Sequence, residues 1–139
     1  MSLRVPIVKI NENLIVTFIS DIDDISALKL QSELLQRIHE GKITGVLIDL
    51  TVLDMVDSFL GRLISNIARS SAMMDAKTVV VGIQPAVAIT LVELGLELEG
   101  TFPALNVEDG IELINELKKL KDDFGGIDEE TGNSSEFSY

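Results

Sequence analysis

The chain has 139 residues, enough for one domain around a single core, with 46% hydrophobic and 4% aromatic residues and a mean hydropathy of +0.32. A formal net charge of −12 opposes both nucleic acid, which is held by basic side chains on phosphates, and an anionic membrane surface. Cysteine is absent and His39 is the sole histidine, which excludes disulfides, thiolate metal sites, cysteine nucleophiles and multi-histidine centres.

No run reaches the roughly 18 apolar residues of a membrane helix. The segment Met1–Pro6 lacks a signal peptide's apolar core, so a cytoplasmic protein is expected. Val5–Ile10 and Leu14–Ile19 are short β-rich runs around Asn11-Glu12-Asn13, the pattern of a hairpin. Ser20–Asp24 supplies cap and turn residues for a helix carrying Ile25, Leu28, Leu35 and Ile38 on one stripe, widened by Leu34 and ended by Gly41. Val46–Leu50 has the apolar character of a buried strand.

Asp57-Ser58 is a helix start signal, and Leu60, Leu63, Ile64 and Ile67 face inward on a helix through about Met74. Thr78–Ile83 is a strand. Pro85 opens a helix over Ala86–Leu94 that Gly95 closes. An extended piece near Thr101–Leu105 leads to a last helix with Val107, Ile111, Ile114 and Leu117 inside. The order β-β-α-β-α-β-α-β-α predicts an α/β domain over residues 1–120. Its mixed sheet is a hairpin followed by mainly parallel strands, covered by about four helices. Residues 121–139 hold six acids against Lys121, five of the twelve net negative charges, and read as an acidic disordered tail.

Little of this carries catalytic chemistry. Gly41-Lys42 lacks the phosphate-loop pattern and ends a helix rather than opening one. The nucleophile elbow G-x-S-x-G is missing, and His39 sits in a last helical turn, where a protonated imidazole meets the dipole. Asp21, Asp23 and Asp24 suit helix capping and lack calcium-loop spacing, and Asp49 reads as a turn or cap partner. No catalytic residue, metal or cofactor is expected.

Ser58 stands apart. It lies where the loop Thr51–Asp57 leaves a central strand and enters a helix, at the carboxyl end of the sheet where open α/β folds present function. Such a serine either caps the helix or points its hydroxyl outward. Phosphorylation would add about −1.5 to −2 charge and three acceptor oxygens. The helix N-terminus would hold those oxygens while Asp54 and Asp57 repelled them.

The segment Asp57-Ser58-Phe59-Leu60-Gly61-Arg62 resembles the phosphorylatable stretch of the STAS-domain anti-sigma-factor antagonists. The run Gly82-Ile83-Gln84-Pro85-Ala86-Val87-Ala88-Ile89-Thr90-Leu91-Val92-Glu93-Leu94-Gly95 resembles more narrowly the stressosome branch and its small scaffold subunit. Many antagonists have Ser-Gly at the modified serine; here Phe59 follows it and Gly61 is displaced.

The resemblance, over about residues 3–120, implies a phosphorylation-controlled, non-enzymatic scaffold in a general stress (partner-switching) pathway. Its implied partners are RsbR-type STAS paralogues in a large co-assembly, an RsbT-like serine kinase that it sequesters and releases, an RsbX-like phosphatase that resets it, and its own copies as dimer building blocks. Ser58 then matches the phosphoacceptor, with Asp21, Asp23, Asp57 and Phe59 flanking it or meeting partners. Further phosphosites at Ser20, Ser26, Thr51 or Thr78 stay open. The alternative is a small-ligand or nucleotide-sensing module built on the loop around Asp21 and Ser58. The chain lacks a glycine-rich cradle for it and has few basic residues to hold phosphates.

Overall fold

The computed structural model describes residues 5–131, with side chains to residue 124. Residues 1–4 of the leading segment and 132–139 of the acidic end lie outside the described residues. Strands β1 (Ile7–Ile10) and β2 (Asn13–Thr17) form the expected antiparallel hairpin. Asn13 belongs to β2 rather than to the turn, because Ile10 pairs with Asn13 and only Asn11 and Glu12 connect them. Asn11 supplies the positive φ of that tight turn, at 55°.

Three βα crossovers follow: α1 (Asp24–Gly41), β3 (Gly45–Asp49), α2 (Ser58–Met73), β4 (Lys77–Val81), α3 (Pro85–Glu93) and β5 (Thr101–Ala104). The strands lie in sequence order, β2 to β5 parallel, which makes the mixed five-stranded sheet. Helix α4 (Val107–Thr131) closes the fold.

Strand alternation sends side chains to two faces. On one face Leu14, Val16, Val46, Ile48 and Val80 pack with buried residues of α1, α2 and α3. On the other, Ile15, Leu47, Val79 and Val81 meet α4 through Ile114. Helix α4 comes close because of Gly110, where a Cβ would stand 2.7 Å from Leu47 and 3.3 Å from Val81. A single helix covers this face, and Val8 and Ile10, whose registers put them on it beside Ile15 and Asn13, stay exposed.

The inward stripe of α2 is as expected, with Leu60, Leu63, Ile64 and Ile67 all buried. The α1 stripe is not. Ile25 and Leu28 are each 68% exposed, and the buried positions are Ala27, Leu30, Leu34 and Ile38, with Leu35 half-buried. Apolar residues occupy both sides of this helix, so spacing alone did not select the face; the small Ala27 marks where α1 lies close to the body. Gly41 is the last helical residue, and Lys42 takes the left-handed cap conformation at φ 53°.

Gly95 closes α3 as expected, at φ 72°, with the Leu96 amide donating to the Leu91 carbonyl at 2.9 Å. On α4, Ile114 is buried, and Val107, Ile111 and Leu117 are half-buried. This helix does not stop at Leu120 but continues to Thr131, through the first part of the stretch read as a tail. Lys118 on Glu12 at 2.9 Å and Lys121 on Asp75 tie its middle to the body, and an established helix gains one bond per residue added. Among the described residues no helix is long and apolar enough to cross a membrane.

Candidate functional site

The parallel strands deliver four connections to one end of the sheet: 18–23 after β2, 50–57 after β3, 82–84 after β4 and 105–106 after β5. Backbone bonds continue the ladder into them, with Phe18 donating to Asp49 at 3.1 Å, Leu50 to Val81 at 2.9 Å and Gly82 to Ala104 at 3.1 Å. Side chains stitch the loops of this end together. Asp49, at the end of β3, accepts from the Thr51 amide at 2.9 Å and from the Thr51 hydroxyl, the turn role expected of it. Gln84, at the N-cap of α3, makes no side-chain capping bond; its side-chain amide donates to the Thr51 carbonyl at 2.7 Å. Gly82 permits the approach: its φ is +71°, and a Cβ there would fall 3.2 Å from the Thr51 backbone.

The loop into α2 alternates anchored and free residues. Leu53 and Val56 are buried, whereas Val52 and Met55 are exposed, Met55 by 75%. The anchors hold Asp57 in place as N-cap, with extended backbone and its carboxylate accepting from the Leu60 amide at 2.8 Å. The cap is therefore Asp57, and Ser58 is the first helical residue, half-buried, with its hydroxyl not used as the capping acceptor. The amides at this first turn have no partner earlier in the helix, which makes the local field positive.

Asp23 caps α1 in the same way, accepting from the Ser26 amide at 2.7 Å. Those hydrogen bonds from Ser26 hold its carboxyl below the usual aspartate range, with a smaller contribution from Lys29. Asp21 is exposed in the loop before it. Phe59 is only partly exposed: it packs against the core and, with Asp24, Ala27, Leu28, Arg62 and Leu63, lines a cleft of about 320 Å³ between α1 and α2. The starts of the two capped helices are thereby neighbours. Asp21, Asp23, Asp24, Asp54 and Asp57 lie at this end, against Lys29 and Arg62 on the second turns of the helices.

Of the further serine and threonine positions, Ser20 and Thr51 are exposed and Ser26 is half-buried. Thr78, 1% exposed on central strand β4, is sealed in the core. His39 is exposed in the last turn of α1. Among the described residues no three histidine, aspartate or glutamate side chains converge to hold a metal ion. Val52 and Met55 are the features of this end that the pattern did not reveal, since an apolar residue in a loop reads as an anchor until the packing is known.

A family model described as STAS domain matches residues 4–109, and the chain belongs to that family. Within it the chain is RsbS-like. It is similar to RsbS of Moorella thermoacetica, solved as a variant with a serine replaced by glutamate, at 36% identity and a TM-score of 0.73 over 84% of this chain and 99% of that one. A chain in the molecular architecture of the stressosome, a signal integration and transduction hub, matches at 36% identity and a TM-score of 0.71, covering 81% and 98%. The RsbT co-antagonist protein RsbRA of Bacillus subtilis is 27% identical over 120 residues, 86% of this chain and 44% of that protein. The chain thus spans less than half the length of this curated relative.

Proposed function

We propose that the chain is a non-enzymatic, cytoplasmic scaffold subunit of a stressosome-type assembly and a phosphoswitch acting through Ser58. It sequesters an RsbT-like serine kinase, is phosphorylated by it on Ser58, and then lets it go; an RsbX-like phosphatase reverses the step. RsbR-like STAS paralogues co-assemble with it. The observation carrying this reading is the division of roles at α2: Asp57 spends its carboxylate on the cap, which leaves half-buried Ser58 as the first helical residue, its hydroxyl free of the capping role, at the carboxyl end of the sheet. The likeness to stressosome proteins supports it.

A phosphate on Ser58 would meet the free amides of the first turn on one side and Asp54 and Asp57 on the other. Its charge is held at the surface and directed at whatever docks on Val52 and Met55. Only about 1.4 kcal/mol is needed for a tenfold loss of affinity. Dimerisation has a natural place on the uncovered part of the sheet, where Val8 and Ile10 flank the open edge of β1.

The test is incubation with the kinase and ATP, followed by mass spectrometry and a retention assay. Ser58→Ala should assemble, bind kinase and fail to release it, whereas Ser58→Asp should bind at least tenfold more weakly. If both variants capture and release kinase as the wild type does, Ser58 is not the switch. Saturable micromolar binding of a nucleotide by titration calorimetry would favour the ligand-sensing alternative.

A further inference from the structure

At the acidic end of the sheet one guanidinium is uncommitted. Asp21, Asp23, Asp24, Asp54 and Asp57 all lie near the starts of α1 and α2. Yet among the described residues Arg37, Arg69, Lys118 and Lys121 are paired with carboxylates, and Arg62 is paired with none. Two of the acids are engaged elsewhere: Asp57 accepts from the Leu60 amide at 2.8 Å and Asp23 from the Ser26 amide at 2.7 Å. Asp24 and Arg62 are the charged residues of the cleft beside Phe59, and they line it without forming an ion pair.

Spacing gives this guanidinium a partner that the unmodified chain lacks. Ser58 is the first residue of α2, and Arg62 stands four residues on. Residues four apart on a helix are surface neighbours, with about 5–6 Å between their Cβ atoms. Helical side chains lean toward the N-terminus, which brings the first turn within reach of the long arginine. An anion four residues before a cation is the favourable order on a helix. The first turn of α2 holds no acid that would compete for the arginine. A serine hydroxyl offers Arg62 little. A phosphate dianion offers it two parallel N–H···O bonds, the geometry that a guanidinium fork matches.

We infer that Arg62 is the phosphate-holding residue of the switch: its guanidinium lines the cleft between α1 and α2 while Ser58 is unmodified, and turns back onto the phosphate once Ser58 carries one. The inference deepens the Ser58 reading and rests on it. Withdrawal of Arg62 leaves Asp24 as the charged residue of the cleft wall. The modification thereby changes the charge of a surface that Ser58 itself does not line.

The test uses the full chain with phosphoserine installed at position 58 during translation, so that no kinase is needed. The charged groups around the phosphate are Asp54 and Asp57 from its own loop, Asp21, Asp23, Asp24 and Lys29 from α1 and the loop before it, and Arg62 from α2; the 82–84 loop brings none. Phosphorus NMR reads the second ionisation of the phosphate, which lies at about pH 6 in a free phosphoserine. A guanidinium favours the dianion, so the wild-type phosphate should ionise about 0.3–0.5 pH units below that of Arg62→Gln, a two- to threefold difference in proton affinity. Arg62→Lys keeps the charge, loses the fork and should fall between the two. The side-chain Nε–Hε resonance of Arg62 should move on phosphorylation while those of Arg37 and Arg69 stay.

Equal ionisation in wild type and Arg62→Gln overturns the inference, because the amides of the first turn would then hold the phosphate unaided. A larger change from Lys29→Gln than from Arg62→Gln overturns it in favour of α1, and an Arg62 resonance that does not move overturns it as well. Should Arg62 hold the phosphate while Ser58→Ala still releases kinase, the clamp stands and the switch reading alone fails.

Discussion

Asp57 and Ser58 are adjacent and both able to cap, and the structure gives them different work. A carboxylate at the N-cap satisfies an amide and meets the helix dipole with a full negative charge, so it outcompetes a hydroxyl one residue later. Asp57→Ala should lower stability by about 0.5–2 kcal/mol, the ordinary cost of losing a cap, measured by urea unfolding. It should also slow phosphorylation of Ser58, since the first turn that presents the hydroxyl would fray. An Asp57→Ala chain with wild-type stability would show that the loop anchors Leu53 and Val56 hold the helix start unaided. The serine and its acidic surroundings were legible in the sequence because cap residues act locally. Which of the two residues caps was not, because that depends on the backbone angles at which the loop arrives.

At the scale of elements, α1 carries the same lesson. Helix α1 has apolar residues on more than one side, and the body selects the side holding Ala27, Leu30, Leu34 and Ile38. Leu34→Ala should therefore cost about 2–5 kcal/mol as a core cavity, whereas Leu28→Ser should stay within about 0.5 kcal/mol of wild type. Thermal and urea unfolding of the two variants check this; comparable losses would mean that Leu28 has a covered partner. Leu28 borders the cleft with Phe59, so its exposure leaves apolar surface between the starts of α1 and α2. In α2 the stripe was readable throughout because polar residues interrupt it at helical period.

For the whole molecule, the sheet is unevenly dressed: three helices on one face and α4 alone on the other. The middle of α4 is fixed by charge as well as by the packing before it, through Lys118 and Glu12 at the hairpin turn. The hydrogen bond and charge of Lys118 lower the Glu12 carboxyl, and those of Glu12 raise the Lys118 ammonium. A lowered acid stabilises above its ordinary value of 4.5 and loses that contribution as pH falls through its folded value; a raised base stabilises below 10.5 and loses it as pH climbs through its folded value. The contact is thus fully present between those two ordinary values. Lys118→Ala should lower the thermal midpoint slightly across that range, with the gap to wild type closing in stronger acid and shrinking in high salt. A gap independent of both would assign the effect of Lys118 to packing of its stem.

The amino-acid sequence by itself determined the order of elements, the opening hairpin, the inward face of α2 and the placing of a hydroxyl among acids at a helix entrance. Each is a matter of short-range periodicity, turn chemistry or capping, which act over a few neighbouring residues. Only the tertiary structure decided which side of α1 is buried, that Thr78 is sealed away, that Gly110 brings α4 onto the sheet, and that the apolar α3 keeps an open face. Those outcomes depend on what packs against each element from distant parts of the chain, and no local pattern encodes the partner's shape.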